Sequence, residues 1–387
     1  MQKLAILVLM SGIALPLFAA KPVIVHAVTV AQLEEELAAA HGKKDADVAR
    51  HLSELKLTER MGTPRLVHWE ALLPGDKARR ALIAVADASV FLDLPAADTP
   101  VIAAPDSAAQ DALLAKTIEY AQKAIPRLPD FFATEKTIHF ADGPVNPSRP
   151  DGNDLPLHVV AESSAIVHYL GGQEELDAAA KKQKVQIGKQ LTTEGVFGSV
   201  LGAILKDGLG GKPAWSHWEQ GTGGPIGVFR YAVLKENSHY EAHARNDPGF
   251  FSRVTGYHGE IGVDPATGAI LRLTMLADLG PTGPIAKADI LVEYGPVEIG
   301  GIAYICPLRS VARSLARPFD LLRDMYGVSQ EAQAPMELNL NDVTFGDYHL
   351  FRAEMRMLTG DSPEPGSTQP GSAPAPSPQA PATAPQR

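Results

Sequence analysis

GEIGVDPATGAILRLTMLADL, residues Gly259 to Leu279, is the stretch whose reading decides the fold. Two runs of strand-forming residues flank Asp264-Pro265-Ala266-Thr267-Gly268, a loop of turn formers with a glycine where a positive φ is needed. The stretch reads as a β-hairpin. Around it, from Phe131 onward, the apolar period is close to two, in FFATEKTIHFA, LPLHVVAESSAIVHYL, GVFRYAVLKE, SHYEAHAR, ADILVEYGPVEI, AYICPLRSVARSLA and VTFGDYHLFRAEMRML. Gly300-Gly301 supplies a second tight turn. Strands that follow strands through short turns imply an antiparallel sheet rather than a parallel α/β one.

Upstream of the sheet the period is that of helices. Thr29-Val30-Ala31-Gln32 has capping-box form, and Val30, Leu33, Leu37 and Ala40 keep one stripe until Gly42. Further helices are expected around Val48, Leu52 and Leu55, from Pro64 to Leu73, from Asp76 to Leu92, and from a cap at Ser107 through Ile125. One helix interrupts the sheet, Leu191 to Lys206, with Val196, Phe197, Val200, Leu201 and Ile204 on its apolar face. The expected fold class is therefore α+β: a small N-terminal helical array, then a large curved antiparallel sheet with an inserted apolar helix. The expected divisions are 1–27 signal peptide, 28–126 helical module, 127–360 β-domain and 361–387 tail.

The two ends speak to address. Lys3 followed by the apolar run Leu4 to Ala20, broken by Gly12 and Pro16, has signal-peptide form, short for a membrane span. Val25-His26-Ala27 offers small residues for cleavage, and so does Phe18-Ala19-Ala20; a retained anchor is the alternative. The expected location is the periplasm or the exterior, as a soluble chain. A lipid anchor is not expected, because Cys306, the one cysteine, is far from the N-terminus. With one cysteine the fold has no internal disulfide, and Cys306 falls in an apolar run as a small buried hydrophobe. Net charge is −10, and −12 without residues 1–27, which disfavours nucleic acid and anionic membrane surfaces as partners. Residues 361–387, nearly all Pro, Ser, Ala, Gly, Gln and Thr, read as a solvated tail or a Pro-rich ligand for an envelope partner.

Asp264, Thr267, Gly268, Ile270 and Arg272 in the hairpin, then Tyr294, Val297, Gly301 and Pro307, resemble the outer-membrane lipoprotein-carrier group, which includes the carrier, its receptor and envelope-stress sensors. The likeness covers roughly the last half of the ordered chain. The whole sequence also resembles a poorly characterised family of exported bacterial proteins. The carrier group implies a half-open barrel whose apolar concavity, lidded by helices, holds acyl chains or a lipidated partner. The helical first hundred residues depart from that pattern.

Chemistry-bearing motifs are sparse. His239, Glu241 and His243 alternate in SHYEAH and so share one strand face, a possible zinc set to which His217, Glu219 or His258 could add. The same alternation suits a solvated face. No G-x-S-x-G, phosphate-loop or dinucleotide pattern occurs, and the glycine clusters at 208–211 and 221–224 read as turns. Arg309, Arg313 and Arg317 would share a strand face, as a basic stripe or as a face balanced by nearby acids. The expectation is a non-enzymatic protein with no cofactor that holds a lipid, an acylated protein or another hydrophobic ligand. Val196, Phe197, Val200, Leu201, Ile204, Trp215 and Trp218 form its candidate site. The alternatives are an envelope scaffold with a filled core and a metal-dependent hydrolase at His239, Glu241 and His243.

Overall fold

The structure, a computed structural model, describes residues 25–143, 156–176, 199–208, 213–245, 250–281, 283, 285–317 and 336–351. The signal-peptide run, Val196, Phe197 and the Pro-rich tail lie outside the described residues. The fold is α+β, with a large antiparallel sheet that does not close on itself.

The N-terminal helices are α1 (Val30–Ala39), α2 (Asp45–Ser53), α3 (Thr63–Leu72) and α4 (Asp76–Ala88). Local chemistry sets their ends. Thr29 caps α1 through a capping box, its hydroxyl accepting from the Gln32 amide at 3.2 Å while the Gln32 side chain accepts from the Thr29 amide at 2.9 Å. Pro64 sits in the first turn of α3, where its missing N–H costs nothing. Leu33, Leu52, Leu82 and their neighbours make a core of their own. It is closed by a short parallel pair the apolar periodicity did not reveal, β1 (His26–Val28) against β2 (Leu55–Leu57).

The main sheet takes its strands from β3 (Phe131–Ala141), β4 (His158–Leu170), β5 (Gln173–Leu176), β6 (Ala214–Gly221), β7 (Gly224–Val233), β10 (Tyr257–Val263), β11 (Ile270–Ala277), β12 (Ile285–Ile299), β13 (Ile302–Ala316) and β14 (Glu337–Leu350). Their order is β5-β4-β3-β14-β13-β12-β11-β10-β7-β6, every pair antiparallel. A separate hairpin joins β8 (Glu241–Arg245) to β9 (Phe250–Val254). The decisive hairpin is β10–β11. Asp264 accepts from the Ala266 amide at 2.9 Å and the Thr267 hydroxyl at 2.5 Å, and Gly268 turns the chain at φ +79°. Gly300 and Gly301, at φ +61° and +86°, turn β12 into β13.

Register separates the sheet's two faces. Glu293 pairs with Arg309, Leu291 with Val311, and Asp342 with Ile138, so these side chains share one face. Helix α4 and the turn after it lie over it, Ala84 of the helix and Val90 of the turn packing on Phe140, Leu291, Val311 and Leu340. The alternating positions Val292, Tyr294, Leu273, Met275 and Phe229 belong to the other face and the main core. That core also receives Leu113 from α5 (Ser107–Ala124), Leu201 from α6 (Ser199–Ala203) and Ile204 from the π-helical turn that continues α6 over Ile204–Gly208. Helix α5 thus sits across the sheet from α1–α4. Its cap is Asp106, accepting from the Ala109 amide at 2.8 Å, one residue before the expected Ser107.

Candidate functional site

Where α3 and α4 meet β3, β4, β13 and β14, the packing leaves a cleft of about 680 Å3. Leu66 and Val67 of α3, Ile83 of α4 and Ile138 of β3 are its aliphatic walls. Arg309, Asp342, Thr344 and Lys136 come from the sheet, and Glu70 and Thr63 from the helix. Sequence spacing does not join these positions, because half lie on a helix in the first hundred residues and half on strands up to 280 residues later. The cleft lies where α4 and the turn after it pack on the sheet through Ala84 and Val90, whereas α3 reaches the sheet through the Thr63 hydroxyl.

The polar floor is built around Arg309. Its guanidinium pairs with Asp87 of α4, bonds Asp342 of β14 at 2.9 and 2.6 Å, and donates to the Thr63 hydroxyl at 3.4 Å. That hydroxyl also bonds the Glu293 carboxylate, at 2.6 and 2.8 Å. Burial works against the charge of Arg309 and is overcome by Asp87, Asp342 and Glu293, so the guanidinium stays charged. Burial, with Asp342 close by, pushes the Asp87 carboxyl well above the usual carboxylate range despite Arg309. Glu70 is pushed up by burial more than Arg309 pulls it down. Arg313 follows the same plan one step along β13, bonding Asp289 at 3.0 and 2.5 Å with its guanidinium 4.4 Å from the Phe91 ring centre. Arg309 and Arg313 therefore share a face as their spacing requires, but that face is covered and its acids are supplied by its neighbours.

A second buried cluster ties the helical module to the far half of the sheet. Glu219 of β6 accepts from Arg60 at 2.8 Å and from Arg272 of β11 at 2.7 Å, and Arg272 also reaches Glu260 at 3.0 Å. Burial works against the charge of Arg272, and Glu219 and Glu260 outweigh it.

The residues singled out from sequence are dispersed. Leu201 and Ile204 are buried in the main core with Val200 packed against it. Trp215 packs against Phe229, and Trp218 meets Trp215 edge-on while its Nε1 donates to the Ala103 carbonyl at 3.0 Å. The two tryptophans thus hold the α4–α5 connection against the edge of the sheet. His239 is bound by Asp207, Nδ1 to Oδ1 at 2.6 Å, rather than turned toward Glu241. Among the described residues no group of three or more His, Cys, Asp or Glu is placed to hold a metal; the side chain of His243 lies outside them. His217 is half-buried at β6, Glu219 is taken by two arginines, and His258 bonds Asp278 at 2.7 Å. Cys306 is buried, and burial pushes its thiol up to about 12, which leaves it unreactive.

Of the cleft residues, sequence reading singled out Arg309, within the Arg309, Arg313, Arg317 stripe, and missed the others; Lys136 carried a signal as a cation within the apolar alternation of FFATEKTIHFA.

No protein-family model matches the chain, and no curated protein does. Among solved structures, the crystal structure of MucB overlaps 64% of this chain and 100% of its own at 10% identity and a TM-score of 0.22. The complex of Pseudomonas aeruginosa MucA and MucB overlaps 62% of this chain and 94% of its own at 9% identity and a TM-score of 0.20. Overlaps at those scores support no conclusion about fold or function.

Proposed function

We propose that this chain is an exported, non-enzymatic binding protein that holds a hydrophobic or acylated ligand between its helical module and its sheet. The observation that carries this reading is the cleft, with four aliphatic walls over a polar floor in a volume typical of small-ligand sites, about 300–1,000 Å3. Its walls belong to the core of the helical module, through Leu66, and to the small core between α4 and the sheet, through Ile83 and Ile138, so the space can change with the packing of α3 without unpacking the main core. Export is supported by the apolar run Leu4 to Ala20, and no described helix is long and apolar enough to cross a membrane. Cleavage after Ala27 would divide β1, whereas cleavage after Ala20 leaves it whole, so the earlier site is the better fit.

Native mass spectrometry of the protein purified after export, without detergent, tests the reading. A reproducible small-molecule adduct that disappears in Val67→Asp is expected; Val67 is 57% exposed, so the change leaves the core alone. A bare protein mass, or an adduct indifferent to Val67→Asp, refutes the cleft as the site.

A second reading keeps the scaffold, because Leu201 and Ile204 fill the other face of the sheet. A ligand held there by Val200, Leu201, Ile204, Trp215 and Trp218 requires α6 to leave its seat. An adduct lost in Leu201→Asp but kept in Val67→Asp would favour that face. The segment 361–387 remains a candidate contact for an envelope partner on composition.

A further inference from the structure

The charges inside the cleft are almost all spoken for. Arg309 is held by Asp87 and Asp342, and Glu162 pairs with Arg80 at 2.7 Å. Two are not. Lys136 of β3 and Glu70 of α3 line the same space from its sheet side and its helix side, and neither side chain makes a hydrogen bond or ion pair with another described residue, Arg309 and Arg79 acting on the Glu70 carboxyl only at longer range. Lys136 is exposed and Glu70 half-buried, with Leu66, Val67, Ile83 and Ile138 around them.

An anionic headgroup entering this space would satisfy Lys136 but meet the like charge of Glu70. A cationic one would do the reverse, and a neutral one would leave both unpaired. Only a group bearing both signs answers both. We infer that the cleft takes a zwitterionic ligand on a single aliphatic body, its anionic group at Lys136 and its ammonium at Glu70. The inference rests on the binding reading above and adds the class of ligand. Burial already pushes the Glu70 carboxyl upward, so an ammonium beside it replaces the solvation the carboxylate has lost. The aliphatic walls take the body of the ligand, and about 680 Å3 suits one alkyl chain or an apolar amino acid. Both sources carry the same chemistry, as a phosphoethanolamine head or as an α-ammonium and carboxylate.

Calorimetric titration of the detergent-free protein separates the cases. The probes are dodecylphosphoethanolamine, dodecyl phosphate, dodecylamine and dodecanol, each below its micellar concentration, and leucine. The zwitterion is expected to bind at least about tenfold more tightly than either probe that carries one sign of charge, the scale of one charge-assisted hydrogen bond. Glu70→Gln is expected to erase its advantage over the phosphate, and Lys136→Met its advantage over the amine. Lys136→Met is expected to unfold at the wild-type urea midpoint, because its side chain has no hydrogen-bonded or ion-paired partner to lose, and Glu70→Gln close to it, because Arg309 and Arg79 act on that carboxyl without a direct bond. Leucine competing with the alkyl zwitterion assigns the amino acid source; leucine without effect assigns the lipid-like one. Equal binding of all four alkyl probes, lost in Val67→Asp, overturns the zwitterion inference and leaves the cleft standing. Absence of alkyl binding, or binding indifferent to all three variants, overturns both.

Discussion

Gly268 shows how much one residue can carry. Its φ of +79° belongs to the left-handed region, and a Cβ there would lie 2.8 Å from the Lys116 carbonyl oxygen of α5. Gly268→Ala is expected to lower unfolding free energy by more than about 1 kcal/mol, read from the urea midpoint. Asp87 offers a pH signature. Its folded carboxyl is raised by burial, so the stability it contributes is present below the unfolded carboxylate pKa and is lost as pH rises through the folded value. Asp87→Asn removes that loss, and its stability relative to wild type is expected to improve between pH 5 and pH 8 in parallel urea titrations. A difference that is flat or declines with pH would refute the raised carboxyl. At this scale the sequence was legible where a residue acts on its own neighbours, as Thr29, Pro64, Asp264 and Gly268 do. It placed Arg309 on one face with Arg313 but did not name its partners, because Asp87 and Asp342 are distant in the chain.

Among the elements, α6 and its π-helical turn are the most instructive. The four-residue apolar spacing identified a helix, and Leu201 and Ile204 do meet an apolar surface. Its end is held by something no pattern contained. Asp207 accepts from the His239 amide at 2.8 Å, from His239 Nδ1 at 2.6 Å and from the Tyr257 hydroxyl at 3.1 Å. Burial pushes the Asp207 carboxyl up, and these donors outweigh it, so it is held below the usual range. Stability from a depressed carboxyl is present above the unfolded pKa and lost as pH falls through the folded value. Asp207→Asn is expected to cost about 1–3 kcal/mol of local protection at neutral pH. Faster amide exchange across 199–208, with β10 and β11 unchanged, is the readout. The gap between variant and wild type is expected to narrow below about pH 4, near the ordinary aspartate pKa. His239 was legible as a chemically able residue within SHYEAH, but its partner Asp207 sits 32 residues away, and strand alternation pointed to Glu241 instead.

For the whole molecule the joint between helices and sheet matters most. Glu219 holds Arg60 from the module and Arg272 from the sheet, all three buried. Removing the shared acid strands Arg60 and leaves Arg272 with Glu260 alone, a loss of about 3–5 kcal/mol where a buried partner has been removed elsewhere. Glu219→Ala is expected to separate unfolding of the module from that of the sheet: in a Trp69→Phe background, where Trp215 and Trp218 of the sheet are the remaining fluorophores, helix signal by circular dichroism and tryptophan fluorescence are expected to have different midpoints, whereas the Glu219 parent gives one. Coincident midpoints in the variant would show that the apolar contact at Ala84, Val90, Phe140 and Val311 couples the two halves without the ions. The sequence by itself determined the order of the N-terminal helices and of most strands, though not β1, β2, β5, β6 or β9, and with them the antiparallel hairpins and an apolar helix of which residues 199–203 are described, because periodicity and turn chemistry are local and each residue answers to neighbours a few positions away. Only the tertiary structure decided that α5 crosses to the opposite face from α1–α4, that Arg309 and Arg313 are buried against acids, and that Glu70 and Lys136 share a cleft. Those facts depend on which faces come together, and the hydrophobic burial that brings them together is non-directional, so no local pattern encodes the pairing.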